Sequence, residues 1–83
     1  MGSRLTREDF KIAAREYLAE RLVPARRGEV HRRVVRKHLY EHLEKKYPSQ
    51  FCELDLKPYA VGVLITEITR QGEPKLYGWR FEP

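Results

Sequence analysis

Four internal prolines, Pro24, Pro48, Pro58 and Pro74, divide this chain into pieces of no more than a few turns each. A proline lacks the N–H that an inner helical turn or a central strand must donate, so no long element runs through any of them. The core must therefore be assembled from several short amphipathic segments. Eighty-three residues with 41% hydrophobic content suit one small domain. A chain of this length buries only about 60% of the surface its unfolded form exposes, which leaves little room for a deep catalytic cleft. The domain is expected over residues 6–83, with residues 1–5 a flexible N-terminus or cloning scar. Met1-Gly2-Ser3-Arg4-Leu5-Thr6 also fits the acylation pattern at Gly2, although Thr6 has a simpler helix-capping role.

Thr6-Arg7-Glu8-Asp9 sets a hydroxyl before a helical pattern and a carboxylate three residues later, an acidic variant of the capping box. Phe10, Ala13, Ala14, Tyr17, Leu18 and Leu22 then recur at helical intervals with Ile12 outside the stripe, and Pro24 ends the run. Ala25 to Gly28 reads as a basic connector. A second helix is expected from Glu29 to about Lys46, offering Val34, Val35, Leu39, Leu43 and Tyr47 to the core. Ser49 to Asp55 reads as a loop anchored by Phe51 and Leu54, with Cys52 a small buried residue.

Pro58 suits the first turn of a third helix, expected to about Thr66, with Val61, Leu64, Ile65 and Ile68 on its apolar face. The same stretch is rich in β-branched residues, and Val63 to Thr69 could equally be a strand. Thr69 to Pro74 carries turn residues and leads to Lys75-Leu76-Tyr77-Gly78-Trp79-Arg80-Phe81, whose alternation puts Tyr77, Trp79 and Phe81 on one side. The expected class is α+β and mostly helical: three helices followed by a small β-hairpin wing, the outline of a winged helix.

Charge is concentrated in one place. Between Arg21 and His38, Arg21, Arg26, Arg27, Arg32, Arg33, Arg36 and Lys37 are opposed only by Glu29, while the whole chain carries a net +5. Such a stripe repels itself and concentrates counter-ions, which favours a polyanion that displaces them. Arg32 and Arg36, and Arg33 and Lys37, are each one turn apart on the expected second helix. Duplex DNA is the favoured partner, bound through phosphates, since the chain has no Asn to pair with adenine edges. The bland alternative is a solvated face held by Glu20, Glu29 and Glu41.

Leu39-Tyr40-Glu41-His42-Leu43-Glu44-Lys45-Lys46, Tyr59-Ala60-Val61-Gly62-Val63-Leu64-Ile65 and the segment from Lys75 to Phe81 together resemble the RFX-type winged-helix pattern. The resemblance spans roughly residues 14–81. It implies DNA binding with groove contacts from the wing, and a related module ends some viral primase-helicases. Carried over by position, Arg70, Gln71, Lys75 and Tyr77 would be wing contacts, and Lys57 and Tyr59 would open the third helix. Glu67 departs from it, placing an acid where a groove-facing helix favours a base.

A protein-interaction domain whose basic face docks an acidic partner is the competing reading. His38 and His42 are one turn apart and suit zinc, with Cys52 as a third donor, but no further Cys or His has ligand spacing, so no metal or cofactor is expected. His31 and His38 read instead as extra phosphate donors when protonated. No Gly-rich phosphate loop or base-oriented nucleophile appears, so no catalysis is expected. One cysteine, no signal-type segment and no apolar run of membrane length point to an intracellular, membrane-free and monomeric protein, nuclear if eukaryotic.

Overall fold

Thr6 starts the first helix as its sequence requires: its Oγ1 accepts from the Asp9 N–H at 3.1 Å, and its own N–H donates to Asp9 Oδ2 at 3.3 Å. The computed structural model describes residues 6–50 and 56–83. Its elements run α1 (Arg7–Arg21), β1 (Leu22–His31), α2 (Arg32–Lys46), α3 (Pro58–Thr69) and β2 (Lys75–Phe81), and β1 pairs with β2 as a two-stranded antiparallel sheet. This is a mostly helical α+β architecture of winged-helix type. Residues 48–50 are also helical, while Phe51, Cys52 and Leu54, read above as anchors or a buried thiol, lie outside the described residues.

One apolar cluster joins all five elements. Phe10, Ala14 and Leu18 of α1, Val35, Leu39 and Leu43 of α2, and Val61, Leu64 and Ile65 of α3 are buried with Leu22 and Leu76 of the sheet. Tyr47 closes one end, edge-on to Phe10 with ring centroids 5.9 Å apart. Two core expectations fail: Ala13 is only half-buried, and Val34 is 41% exposed because it falls outside the Val35–Leu39–Leu43 stripe that meets α1 and α3.

The largest corrections concern residues 22–31. They form a strand, where the sequence suggested a helix end, a connector at Ala25–Gly28 and a helix start at Glu29; α2 begins only at Arg32. Pro24 is tolerated because both strands of a two-stranded sheet are edges. The partner of β2 is therefore β1, across two intervening helices, and not a neighbouring strand from Val63 to Thr69. That stretch is helical: α3 continues to Thr69, whose Oγ1 donates to the Ile65 carbonyl at 2.8 Å.

The register has one irregularity, with Pro24 opposite Trp79 and Glu29 opposite Tyr77, so residues 25–28 bulge out facing Gly78 alone. Gly78 adopts φ +80°, open to glycine and strained for other residues. It also shifts the strand's phase. Leu76 points inward before it and Trp79 and Phe81 pack on the core after it, leaving Tyr77 on the opposite, solvent side. The expected single aromatic face is thereby split.

Candidate nucleic-acid interface

α2 is the element that carries most of the concentrated charge, and its first turn decides which cations are available. His31 caps it, its imidazole Nδ1 accepting from the Arg33 N–H at 3.1 Å. The His31 Nδ1 is thereby an acceptor within the fold, and His38 is stacked on Phe81 with ring centroids 5.1 Å apart. Both histidines thus make contacts within the fold.

Arg32, expected in the binding stripe, is hydrogen-bonded within the fold as well. Its Nε donates to the Glu73 carbonyl at 2.8 Å, Nη1 to the Gly62 carbonyl at 3.2 Å, and Nη2 to the Thr66 hydroxyl at 2.7 Å and to the Gln71 carbonyl. Its backbone N–H reaches the Pro74 carbonyl at 2.9 Å. The guanidinium fork suits this task because its donors fan out in a fixed plane toward several acceptors. Four of its five N–H donors are thereby engaged within the fold.

The remaining basic residues are differently placed. Arg26 and Arg27 stand exposed on the β1 bulge, Arg33 and Lys37 are exposed one turn apart on α2, and Arg36 is half-buried beside them. Among the described residues none of these five makes an ion pair. Glu29, one of the three carboxylates expected to neutralise the stripe, pairs with Lys75 at 3.3 Å instead. Glu20 and Glu41 form no ion pair with the stripe.

The positions carried over from the family resemblance divide. Gln71 is held by β2, its Nε2 donating to the Tyr77 carbonyl at 2.7 Å and its Oε1 accepting from the Tyr77 N–H at 2.9 Å. Lys75 is the partner of Glu29. Arg70 ends α3 in the left-handed conformation, φ 60°, with its side chain exposed. Lys57 precedes α3 as its N-terminal cap residue, and Tyr59, on the first turn, is 83% exposed.

The outward face of α3 is unlike a groove-reading helix. Tyr59, Gly62, Val63, Thr66 and Glu67 line a shallow apolar groove of about 400 Å³ with Arg32 at its edge, and Glu67 is tied to Arg15 at 3.7 Å. The sequence reading missed both this groove and the bulge. Exposure of Tyr59 and Val63 follows from helical phase, whereas nothing local marks Ala25–Gly28 as part of a strand.

Among the described residues no cluster of three metal-ligating side chains occurs, and no helix is long and apolar enough to cross a membrane. His42, considered above beside His38 for zinc, stacks on Tyr17 at 4.1 Å. No protein-family model, curated protein or solved structure matches this chain.

Proposed function

We propose that this domain is a non-catalytic nucleic-acid-binding module, directed at duplex DNA and led by phosphate contacts. The observation that carries this reading is the set of cations that have no carboxylate partner among the described residues: Arg33, Lys37 and Arg36 on α2, and Arg26 and Arg27 on the β1 bulge. Unpaired cations on rigid elements repel one another, and phosphate binding relieves that repulsion while releasing counter-ions. A winged-helix-like architecture often serves this purpose. The RFX-type resemblance at Leu39–Lys46, Tyr59–Ile65 and Lys75–Phe81 favours DNA over RNA, and with it a nuclear, transcriptional or chromatin setting if the source is eukaryotic. The α3 face, apolar with Glu67, is unsuited to lie in a groove, so α2 and the bulge take the leading role.

Fluorescence anisotropy on two unrelated duplexes of about 20 base pairs tests it. Five phosphate contacts should weaken binding on the order of a hundredfold or more between about 50 and 200 mM salt, with little dependence on sequence. Absence of binding at low salt would overturn the reading. A second reading, docking of an acidic protein partner, would then lead, favoured by the exposed apolar side chains of Tyr59 and Val63 on α3.

A further inference from the structure

Tyr77 is the one large apolar side chain of the described sheet that is strongly exposed, at 58%. An aromatic ring left in water on an edge strand would ordinarily sit on a backbone free to fray. Here the backbone is clamped. The Gln71 carboxamide accepts from the Tyr77 N–H at 2.9 Å and donates to its carbonyl at 2.7 Å, so a side chain completes the outer edge of β2 as a third strand would. On the other edge Tyr77 is registered against Glu29. Both backbone polar groups of one exposed residue are thus fixed, and the ring is held out at little conformational cost to a ligand.

Its surroundings narrow the ligand. Paired residues of an antiparallel sheet share a face, and the Lys75–Glu29 ion pair at 3.3 Å sits on this one. An open cleft of about 460 Å³ lies beside the ring, lined by His31, Glu73, Pro74 and Lys75, which is room for a nucleotide. The bulge carrying Arg26 and Arg27 begins one residue further along the ladder, opposite Gly78. A flat ring beside such a cleft, on a strand whose neighbouring bulge carries exposed Arg26 and Arg27, fits a base with its phosphate directed toward the bulge. In an intact duplex the base faces are already covered by their neighbours, so the ring needs a base that is not stacked on both sides.

We propose that Tyr77 is a stacking platform for an unpaired nucleobase, so that the domain binds a duplex carrying a single-stranded extension more tightly than a blunt one. Gln71 is its positioning residue. This rests on the nucleic-acid reading above, and it adds a single-strand subsite to it.

The test compares a blunt duplex of about 20 base pairs with the same duplex bearing a short 3′ or 5′ extension, with 2-aminopurine as the first unpaired base. Stacking on an aromatic side chain should favour the extended duplex on the order of five- to a hundredfold, with quenching of the 2-aminopurine on binding. Tyr77→Ala should abolish both the preference and the quenching; Tyr77→Trp should retain them. Gln71→Ala should reduce the preference with the ring still present. Equal binding of both duplexes, or a preference that survives Tyr77→Ala, overturns the stacking proposal alone. Failure to bind either duplex at low salt overturns it together with the nucleic-acid reading.

Discussion

The Nη2 of Arg32, the first residue of α2, donates to the hydroxyl of Thr66 in the last turns of α3 at 2.7 Å. With its bonds to the carbonyls of Gly62, Gln71 and Glu73, this makes one side chain the tie between two helices and the turn that enters β2. A residue in the middle of a basic run is thus a structural cation, hydrogen-bonded to neutral carbonyls and a hydroxyl of the fold.

Arg32→Ala should therefore destabilise the domain without first affecting ligand contacts. Hydrogen bonds from a charged donor contribute about 1.5–3 kcal/mol each and are not additive, so a loss of about 2 kcal/mol or more is expected. For a domain of this size that lowers Tm by roughly 8–16 °C, read by circular dichroism. Arg32→Lys should rescue only part, because a point charge cannot reach the same spread of acceptors.

The double variant Arg33→Glu with Lys37→Glu should fold normally, since both side chains are exposed and form no ion pair among the described residues. Its duplex affinity should fall by at least about tenfold at low salt, and the slope of log K against log salt should shrink by about 2. Unchanged affinity and slope would remove α2 from the interface and leave the bulge as the candidate.

Gly28 stands where a side chain has no space. A Cβ there would lie 2.5 Å from the Trp79 carbonyl oxygen and 2.8 Å from the Ala25 Cβ. Gly28→Ala should force the bulge away from β2 at a cost of about 1–3 kcal/mol. Faster amide exchange across β1 and β2, with a change in Trp79 fluorescence, would report the opening. Wild-type exchange rates would show instead that the bulge adapts.

Burial, then repulsion by Lys46 and Arg21, holds the His42 pKa below its ordinary 6.5, with Glu20 acting in the opposite direction. The unfolded chain then takes up a proton at higher pH than the fold does. This contribution to stability is fully present above 6.5 and is lost as pH falls through the depressed folded value. His42→Phe, which can keep the stacking on Tyr17, should flatten that acid-side slope in urea denaturation series between about pH 8 and 5. A variant with the wild-type slope would place the acid sensitivity in other groups.

Local chemistry was sufficient wherever a residue's role depended on its near neighbours. Thr6 and Asp9 specify the α1 cap within four residues, and the apolar spacing of Phe10, Ala14 and Leu18, of Val35, Leu39 and Leu43, and of Val61, Leu64 and Ile65 marks the buried faces of three helices. The same reading went astray at Leu22–His31, because Ala25, Arg26, Arg27 and Gly28 carry no alternation and a bulge erases what alternation the flanks have. It also grouped Arg32 with Arg33, since residues adjacent in sequence look alike until one knows what surrounds them.

The sequence by itself determined the apolar stripes that become the buried helix faces and the concentration of positive charge between Arg21 and His38. Those properties follow from periodicity and composition, which act over a few residues. Tertiary structure decided that β1 pairs with β2 more than forty residues away, that Gln71 fixes Tyr77, and that Arg32 binds carbonyls while Arg33 and Lys37 face water. A guanidinium or an exposed ring has the same chemistry in either role, and only the acceptors brought to it by distant parts of the chain select between them.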